Sequence, residues 1–195
     1  DVTVSHATAA SDGTLVQALH AGDEEAFAEV FRRYYPTVYG VLLRITGAPD
    51  EAEDLTQEVF LRLYQRPVPL GTDVNLAGWL YRVASNLGFN AVRSRRRLRD
   101  RVLRWARLER PLVTGAPNPA AETERSDAAA RVRQALADLP ERDRTVLILR
   151  HSGVSYAEIA AAVGIRTSSV GTVLARAERA LRARYLARNP GAGEE

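Results

Sequence analysis

The side chains best suited to chemistry in this sequence form a stripe of arginines and amides near its middle. They recur every three or four positions, which places them on one face of a helix predicted at 75–100. The members are Trp79, Arg82, Asn86, Asn90, Arg93 and Arg97. Arginines follow phosphates, amides read base edges and aromatic rings stack on unpaired bases. The stripe predicts binding of single-stranded or melted DNA, and core packing is the better prediction for Trp79.

A second set of candidate side chains lies toward the C-terminus, on two short helices predicted about a tight turn. Ser155 and Glu158 have the spacing of a capping box, and Gly164 stands where the turn needs a positive φ. The pattern is typical of a helix-turn-helix, whose second helix enters the major groove. Thr167 or Ser168 is expected to cap that helix. The residues expected at the DNA are Arg166, Thr167, Ser168, Ser169, Thr172 and Arg176.

A third candidate surface lies on a helix predicted at 50–65. Its apolar residues define one buried face, and the opposite face carries Asp54, Gln57 and Leu61. An exposed leucine among carboxylates and amides predicts a protein-binding surface. An ordinary solvated face is equally compatible with this pattern.

The composition argues against catalysis and metal chemistry. The chain has no cysteine, and its three histidines stand singly, without metal-ligand spacing. No Gly-rich phosphate loop and no G-x-S-x-G elbow occurs. We therefore expect no enzyme activity, cofactor, metal or small-molecule substrate. No apolar run approaches the length of a membrane span, and residues 1–13 lack the features of a secretory signal, so a cytoplasmic protein is expected.

Charge is divided unevenly along the chain. Residues 1–65 hold 4 arginines and 11 acids, whereas residues 93–110 hold 9 arginines and 2 acids. Residues 128–188 again carry an excess of arginine, 11 against 5 acids. Two basic regions favour a polyanion as partner, and the acidic N-terminal region favours a basic protein surface.

The organisation predicted from periodicity is all-α, with two small helical domains joined by a flexible linker. No alternating β-branched stretch is long enough for a strand. Proline and glycine place a loop at 66–75 and the linker at 109–127. The predicted helices are 14–21, 24–46, 50–65, 75–100, 127–138, 141–151, 155–163 and 168–187. The predicted domains are 14–108 and 128–188, the latter a helix-turn-helix, with a disordered N-terminus at 1–13 and a tail at 189–195.

Three segments resemble the bacterial RNA polymerase sigma factors of the extracytoplasmic-function (ECF) group. AEDLTQEVFLRLY at 52–64 resembles their polymerase-binding helix. GWLYRVASNLGFNAVRSRRR at 78–97 resembles the helix that binds the promoter −10 element, and the stretch 139–182 resembles the domain that binds the −35 element. The three segments occur in the order of the family, with a single linker between the domains. The resemblance covers about residues 14–187.

The resemblance implies a sigma factor that binds core RNA polymerase and directs promoter recognition, strand opening and initiation. Its partners would be the β′ coiled coil, the β flap, duplex promoter DNA and the melted non-template strand, with an anti-sigma factor as a further partner. The loop at 66–75 would help to hold a flipped −10 base. The implied polymerase contacts are Asp54, Gln57, Glu58 and Leu61.

Some positions depart from the pattern of the family. Asn90 stands where an aspartate is frequent, and Gly171 and Val173 stand where basic or polar residues are frequent. The recognition helix therefore offers fewer phosphate contacts, which predicts a weak or atypical −35 preference. Two other functions remain open on the residues alone: a helix-turn-helix regulator that does not bind polymerase, and a helical adaptor that binds only proteins.

Overall fold

The computed structural model of the chain describes residues 11–65, 68, 75–108 and 124–189. Within these residues all regular structure is helical, as predicted. The helices, numbered in chain order, are α1 Asp12–His20, α2 Glu24–Thr46, α3 Pro49–Gln65, α4 Leu76–Leu108, α5 Glu124–Ala137, α6 Glu141–His151, α7 Tyr156–Val163 and α8 Thr167–Arg188.

The N-terminal domain packs α2 against α3 and α4, with α1 covering α2 and α4. Asp23 caps α2 by accepting hydrogen bonds from the backbone N–H groups of Glu25 and Ala26, at 2.9 and 3.1 Å. Gly47 ends α2 in the left-handed conformation, with φ +69°. The apolar faces meet in a core whose largest fully buried side chains include Phe60 and Leu80.

The C-terminal domain packs α8 against α5, α6 and α7. Its core includes Leu147 and Leu149 of α6, Ile159 of α7 and Val170 of α8, all shielded from solvent. These apolar residues recur at helical spacing, so each helix turns one face inward.

The two domains also contact each other. Helix α4 packs along α7, and α2 approaches α6. Nothing in the sequence indicated this packing, because the paired residues are separated by about 80 positions on amphipathic helices that each have their own domain core.

Several predicted boundaries were wrong. Helix α4 continues to Leu108 rather than ending at 100, since arginine, leucine and alanine all favour helix and no proline intervenes. Asp12 and Gly13 belong to α1 rather than to an unstructured N-terminus, because Ser11 caps the helix. Residues 124–127 begin α5 instead of ending the linker. The rest of the linker, most of the 66–75 loop, residues 1–10 and residues 190–195 lie outside the described residues.

Candidate polymerase and promoter surfaces

The outer face of α3 is open to solvent. Asp54 and Gln57 are exposed, and Leu61 is 48% exposed although it is an apolar side chain. Glu58 is half-buried and accepts a hydrogen bond from Arg62 Nε at 2.8 Å. The opposite face is buried as expected, through Ala52, Thr56, Val59, Phe60 and Leu63.

Beside this face lies a ladder of aromatic rings that the sequence analysis missed. Phe27, Phe31, Tyr35 and Tyr39 follow one another at intervals of four along α2, with successive ring centroids 6.5, 4.9 and 6.2 Å apart. The regular spacing was a usable signal, since residues four apart share one face of a helix.

The ladder and the α3 face form one continuous groove. Phe31 contacts Phe60 with ring centroids 4.8 Å apart, and Phe27 meets Tyr64 edge-on at 5.4 Å. A cavity of about 520 Å³ lies between these rings and the side chains of Asp54 and Leu61. Aromatic rings bordered by carboxylates suit a partner that offers both apolar and cationic side chains.

The stripe on α4 is ordered as predicted along one face of the helix. Asn86, Asn90, Arg93 and Arg97 are exposed. Trp79 is half-buried and packs against the core, which confirms the core interpretation for that residue. Its neighbour Tyr81 is buried, and this burial raises the pKa of Tyr81 to about 12.

One end of the α4 stripe is engaged by the helix-turn-helix domain. Arg82 Nε donates to the carbonyl oxygen of Ala162 at 2.9 Å, and Arg82 Nη2 donates to that of Ala161. These carbonyls lie in the last turn of α7, where the helix leaves acceptors free and carries partial negative charge. Arg82 therefore acts as an interdomain cap.

Gly78 permits this close approach of the two helices. A β-carbon at Gly78 would lie 2.6 Å from the β-carbon of Ala161 and 2.9 Å from Asn75 Oδ1. The Asn75 side chain caps α4 by accepting a hydrogen bond from the Gly78 N–H at 2.6 Å. Glycine at this position thus lets α4 begin directly against α7.

Farther along α4, the stripe meets α6. Arg93 donates to Asn90 Oδ1 at 2.6 Å and to Glu141 Oε2 at 3.4 Å. Glu141 opens α6, where a carboxylate is favoured by the helix dipole. Two arginines of the stripe are thereby held by groups of the other domain.

The helix-turn-helix has the predicted local geometry. Ser155 and Glu158 form a reciprocal capping box at the start of α7, with the Ser155 N–H donating to Glu158 Oε2 at 2.9 Å. Gly164 adopts φ +71° in the turn, the conformation predicted for it. Ala160 is buried where α7 turns toward α8.

The expectation that Thr167 or Ser168 caps α8 was wrong. The N-cap is Arg166, which makes no side-chain capping bond, and α8 already begins at Thr167. Both hydroxyl groups consequently lie exposed in the first turn. Thr172 is also exposed and Ser169 is half-buried.

Arg176 differs from the other residues expected at duplex DNA. Its Nη2 donates to Asp143 Oδ1 of α6 at 2.5 Å, and Asp143 is buried. The Arg176 side chain remains 58% exposed. One edge of the guanidinium ties α8 to α6, and the rest faces solvent.

Two further properties bear on function. The described residues contain no cluster of three or more histidine, cysteine or acidic side chains arranged to hold a metal. Among the helices that are described, none combines the length and the apolar character needed to cross a membrane.

Comparison with known proteins identifies both domains. Residues 30–98 match sigma-70 region 2, and residues 129–181 match sigma-70 region 4. The chain is 31% identical to RNA polymerase sigma-H factor of Pseudomonas aeruginosa over 179 residues, which cover 89% of this chain and 91% of that protein. It is 34% identical to the ECF RNA polymerase sigma factor SigE of Mycolicibacterium smegmatis over 172 residues, 86% of this chain and 65% of the length of that relative.

The fold is shared with a solved structure, that of CnrH in complex with the cytosolic domain of CnrY. The TM-score is 0.59 at 23% sequence identity, covering 91% of this chain and 98% of the other. The fold is that of a two-domain helical protein, and the matches to sigma-70 regions 2 and 4 make it a protein of transcription initiation. The chain belongs to the sigma-70 family of RNA polymerase sigma factors, within its ECF group.

Proposed function

We propose that the groove between α2 and α3 is the surface by which this sigma factor binds core RNA polymerase, on the β′ coiled coil. The observation that carries this proposal is the exposed Leu61, set between the carboxylate of Asp54 and the ring of Tyr64. Gln57 and Glu58 extend the polar rim, and Phe27 and Phe31 of the aromatic ladder supply the apolar floor. An apolar centre with a polar rim is typical of protein interfaces.

The −10 element is assigned to the α4 stripe. Asn86 and Asn90 would read bases of the melted non-template strand, while Arg93 and Arg97 hold its phosphates. Arg82 would reach DNA only after leaving the carbonyl groups of α7. Trp79 would help to position the stripe from within the core rather than stack on a base.

The −35 element is assigned to the exposed start of α8. Arg166, Thr167, Ser168 and Thr172 would contact phosphates and base edges in the major groove. Ser169 is half-buried at the same end of the helix, so it would contact DNA through its hydroxyl group at most. The same domain would rest on the β flap.

Arg176 would have a double role in that domain. Its bond to Asp143 fixes the angle between α6 and α8, and its exposed edge would reach a phosphate. The protein would act by binding alone, in the cytoplasm where polymerase works. An anti-sigma factor would compete for the α2–α3 groove, because a partner of that kind needs an exposed apolar surface.

Run-off transcription with core polymerase on a library of promoter fragments tests this function, using the chain and its variant Leu61→Asp. We expect specific initiation by the chain. The variant should bind core polymerase at least about thirtyfold more weakly, since a buried charge at an interface centre is strongly unfavourable.

Leu103→Asp is the matched control, because Leu103 on α4 is also 48% exposed but lies outside the groove. If both variants lost affinity for core polymerase equally, the proposal that the groove binds polymerase would lose its support. A chain that binds a palindromic duplex but never binds core polymerase would instead be a plain helix-turn-helix regulator.

A further inference from the structure

A cavity of about 570 Å³ lies between the two domains and shares no lining residue with the α2–α3 groove. Its walls come from α2 and α4 of the N-terminal domain and from α5, α6 and α8 of the C-terminal domain. This volume lies within the range of pockets that hold small molecules.

The walls of the cavity are rich in arginine. Helix α4 contributes Arg95, Arg96 and Arg99. The other helices contribute Arg44, Arg133, Arg144 and Arg188. One acid, Asp138, occurs among the described lining residues, and it accepts hydrogen bonds from Arg188 at 2.6 and 2.9 Å.

Among the described residues, only part of this positive charge is neutralised. Arg95 pairs with Glu51 at 2.9 Å. In the described part of the chain, Arg96, Arg99 and Arg133 form no ion pair and donate no hydrogen bond. Clustered cations without counter-charges repel one another, so a bound anion would be favoured.

Arg144 reaches the cavity from within the protein. Its guanidinium stands 3.9 Å from the centre of the Phe89 ring, and its buried Nε lacks a hydrogen-bond partner. Burial lowers the pKa of Arg144, as does the nearby charge of Arg93, against the opposing effect of Glu141. Such a donor is well placed for a ligand that enters the cavity.

The cavity does not use the proposed −10 surface. Successive residues of a helix lie about 100° apart around its axis, so the face with Arg96 and Arg99 is turned about 120° from the stripe with Asn86 and Arg93. Arginine on this second face is therefore not explained by contacts with the −10 strand.

We propose that this interdomain cavity binds a small polyphosphorylated anion carrying three or more phosphate groups. The arginine fork matches phosphate oxygens in pairs, and several forks directed at one space require several phosphates to occupy them. A nucleic acid duplex is too wide to enter a cavity of this volume between five helices.

Isothermal titration calorimetry on the full chain tests the proposal directly. The probes are orthophosphate, pyrophosphate, tripolyphosphate and ATP, without divalent metal and at about 0.1 M salt. We expect affinity to rise with phosphate number. Tighter binding of ATP than of tripolyphosphate would identify a nucleotide as the ligand, and the reverse would identify inorganic polyphosphate. Both results support the site.

The decisive variant carries Arg96→Gln with Arg133→Gln, one change in each domain. We expect its affinity for tripolyphosphate to fall by about tenfold or more, because each lost fork removes charge-assisted hydrogen bonds. The matched control carries Arg101→Gln with Arg131→Gln, exposed residues on the same two helices but outside the cavity. The control should change affinity by less than about twofold.

Three results would overturn the proposal. The first is no tripolyphosphate binding by the unaltered chain, and the second is equal loss in both double variants, which would reveal only net charge. The third is that a short single-stranded oligonucleotide binds the chain, loses affinity when Arg96 and Arg133 are replaced, and is not displaced by tripolyphosphate. Circular dichroism checks that each variant folds. If the double variant unfolds, the two single variants are used instead, and each should show an intermediate loss of affinity for tripolyphosphate.

An occupied cavity would hold the two domains together, since both line it. Added tripolyphosphate should then reduce run-off transcription by the unaltered chain more than by the double variant. This consequence rests on the proposed function. The calorimetry uses no polymerase, so its result tests the anion site independently of that function.

Discussion

The outer faces of α3 and α4 differ in what covers them. Among the described residues, Asp54 and Leu61 of the α3 face are exposed, whereas the α4 stripe has Arg82 bound to α7 and Arg93 beside Glu141. The surface proposed for polymerase is therefore available at once, and the surface proposed for the −10 strand is fully available only after Arg82 and Arg93 leave the other domain. The difference implies an order of events in which polymerase binds first and promoter DNA second.

Gly78→Ala should have the largest effect on the difference between the two faces, because it places a methyl group against Ala161 of α7. We expect the domains to separate and the free chain to bind single-stranded −10 DNA about tenfold more tightly, if the closed form holds about 90% of the molecules. Alanine is a better helix former than glycine, but the added β-carbon also lies 2.9 Å from Asn75 Oδ1, the cap of α4, so circular dichroism must show that the helix is kept.

The domain separation can be measured by fluorescence energy transfer. The chain has no cysteine, so Ala28→Cys on α2 and Ala183→Cys on α8 provide two exposed labelling positions. Gly13→Ala is the control, since the nearest atom to its added β-carbon is 3.9 Å away. Unchanged energy transfer in Gly78→Ala would show that α7 does not close over α4 in solution.

A smaller effect is expected at a surface that is already open. Gly171 lies on α8, and an added β-carbon would meet only Tyr156, at 3.9 Å. Gly171→Arg should therefore raise affinity for −35 duplex about threefold and steepen its salt dependence by about one charge. The gain should appear in the free chain as well as with polymerase.

Fluorescence anisotropy over a series of salt concentrations measures this gain, with Gly171→Ala as the control for helix propensity. Affinity that stays constant at every salt concentration would refute the prediction that α8 lacks a phosphate contact. A gain seen only with polymerase would show that α8 is covered in the free chain.

The smallest effect is expected from Glu141→Gln, which removes the carboxylate beside Arg93. An exposed ion pair as long as this one contributes about 0.4 kcal/mol or less, so single-strand affinity of the free chain should rise about twofold or less. Glu25→Gln is the matched control, because Glu25 occupies the first turn of α2 but contacts no part of α4 among its described hydrogen bonds and ion pairs. If Glu141→Gln raised single-strand affinity more than Gly78→Ala does, the contact with α6 rather than the contact with α7 would be the main one that covers the α4 stripe.

Much of the local structure followed from the sequence because local rules determine it. The capping box at Ser155, the positive φ of Gly164 and the buried face of α3 depend on residues three or four positions apart. The aromatic ladder on α2 obeys the same spacing and was predictable, but its groove required knowing that α3 lies beside it.

Contacts between residues distant in sequence, within a domain or between the two, could not be predicted in this way. The bond of Arg82 to α7 and the ion pair of Arg176 with Asp143 join residues 80 and 33 positions apart. An exposed arginine has the same sequence signature whether it meets a carbonyl group, a carboxylate or a phosphate. Only the packing of the helices distinguishes these partners.

The length of α4 has a mechanical consequence. Its 33 residues extend over about 50 Å as one rigid rod, and its final turns expose Leu98, Val102, Leu103 and Trp105 to solvent. A tilt of about 10° at the Gly78 end would move the far end by about 9 Å. A small rotation of α4 at that domain contact would thus become a large displacement of the far end, from which the chain continues toward the second domain.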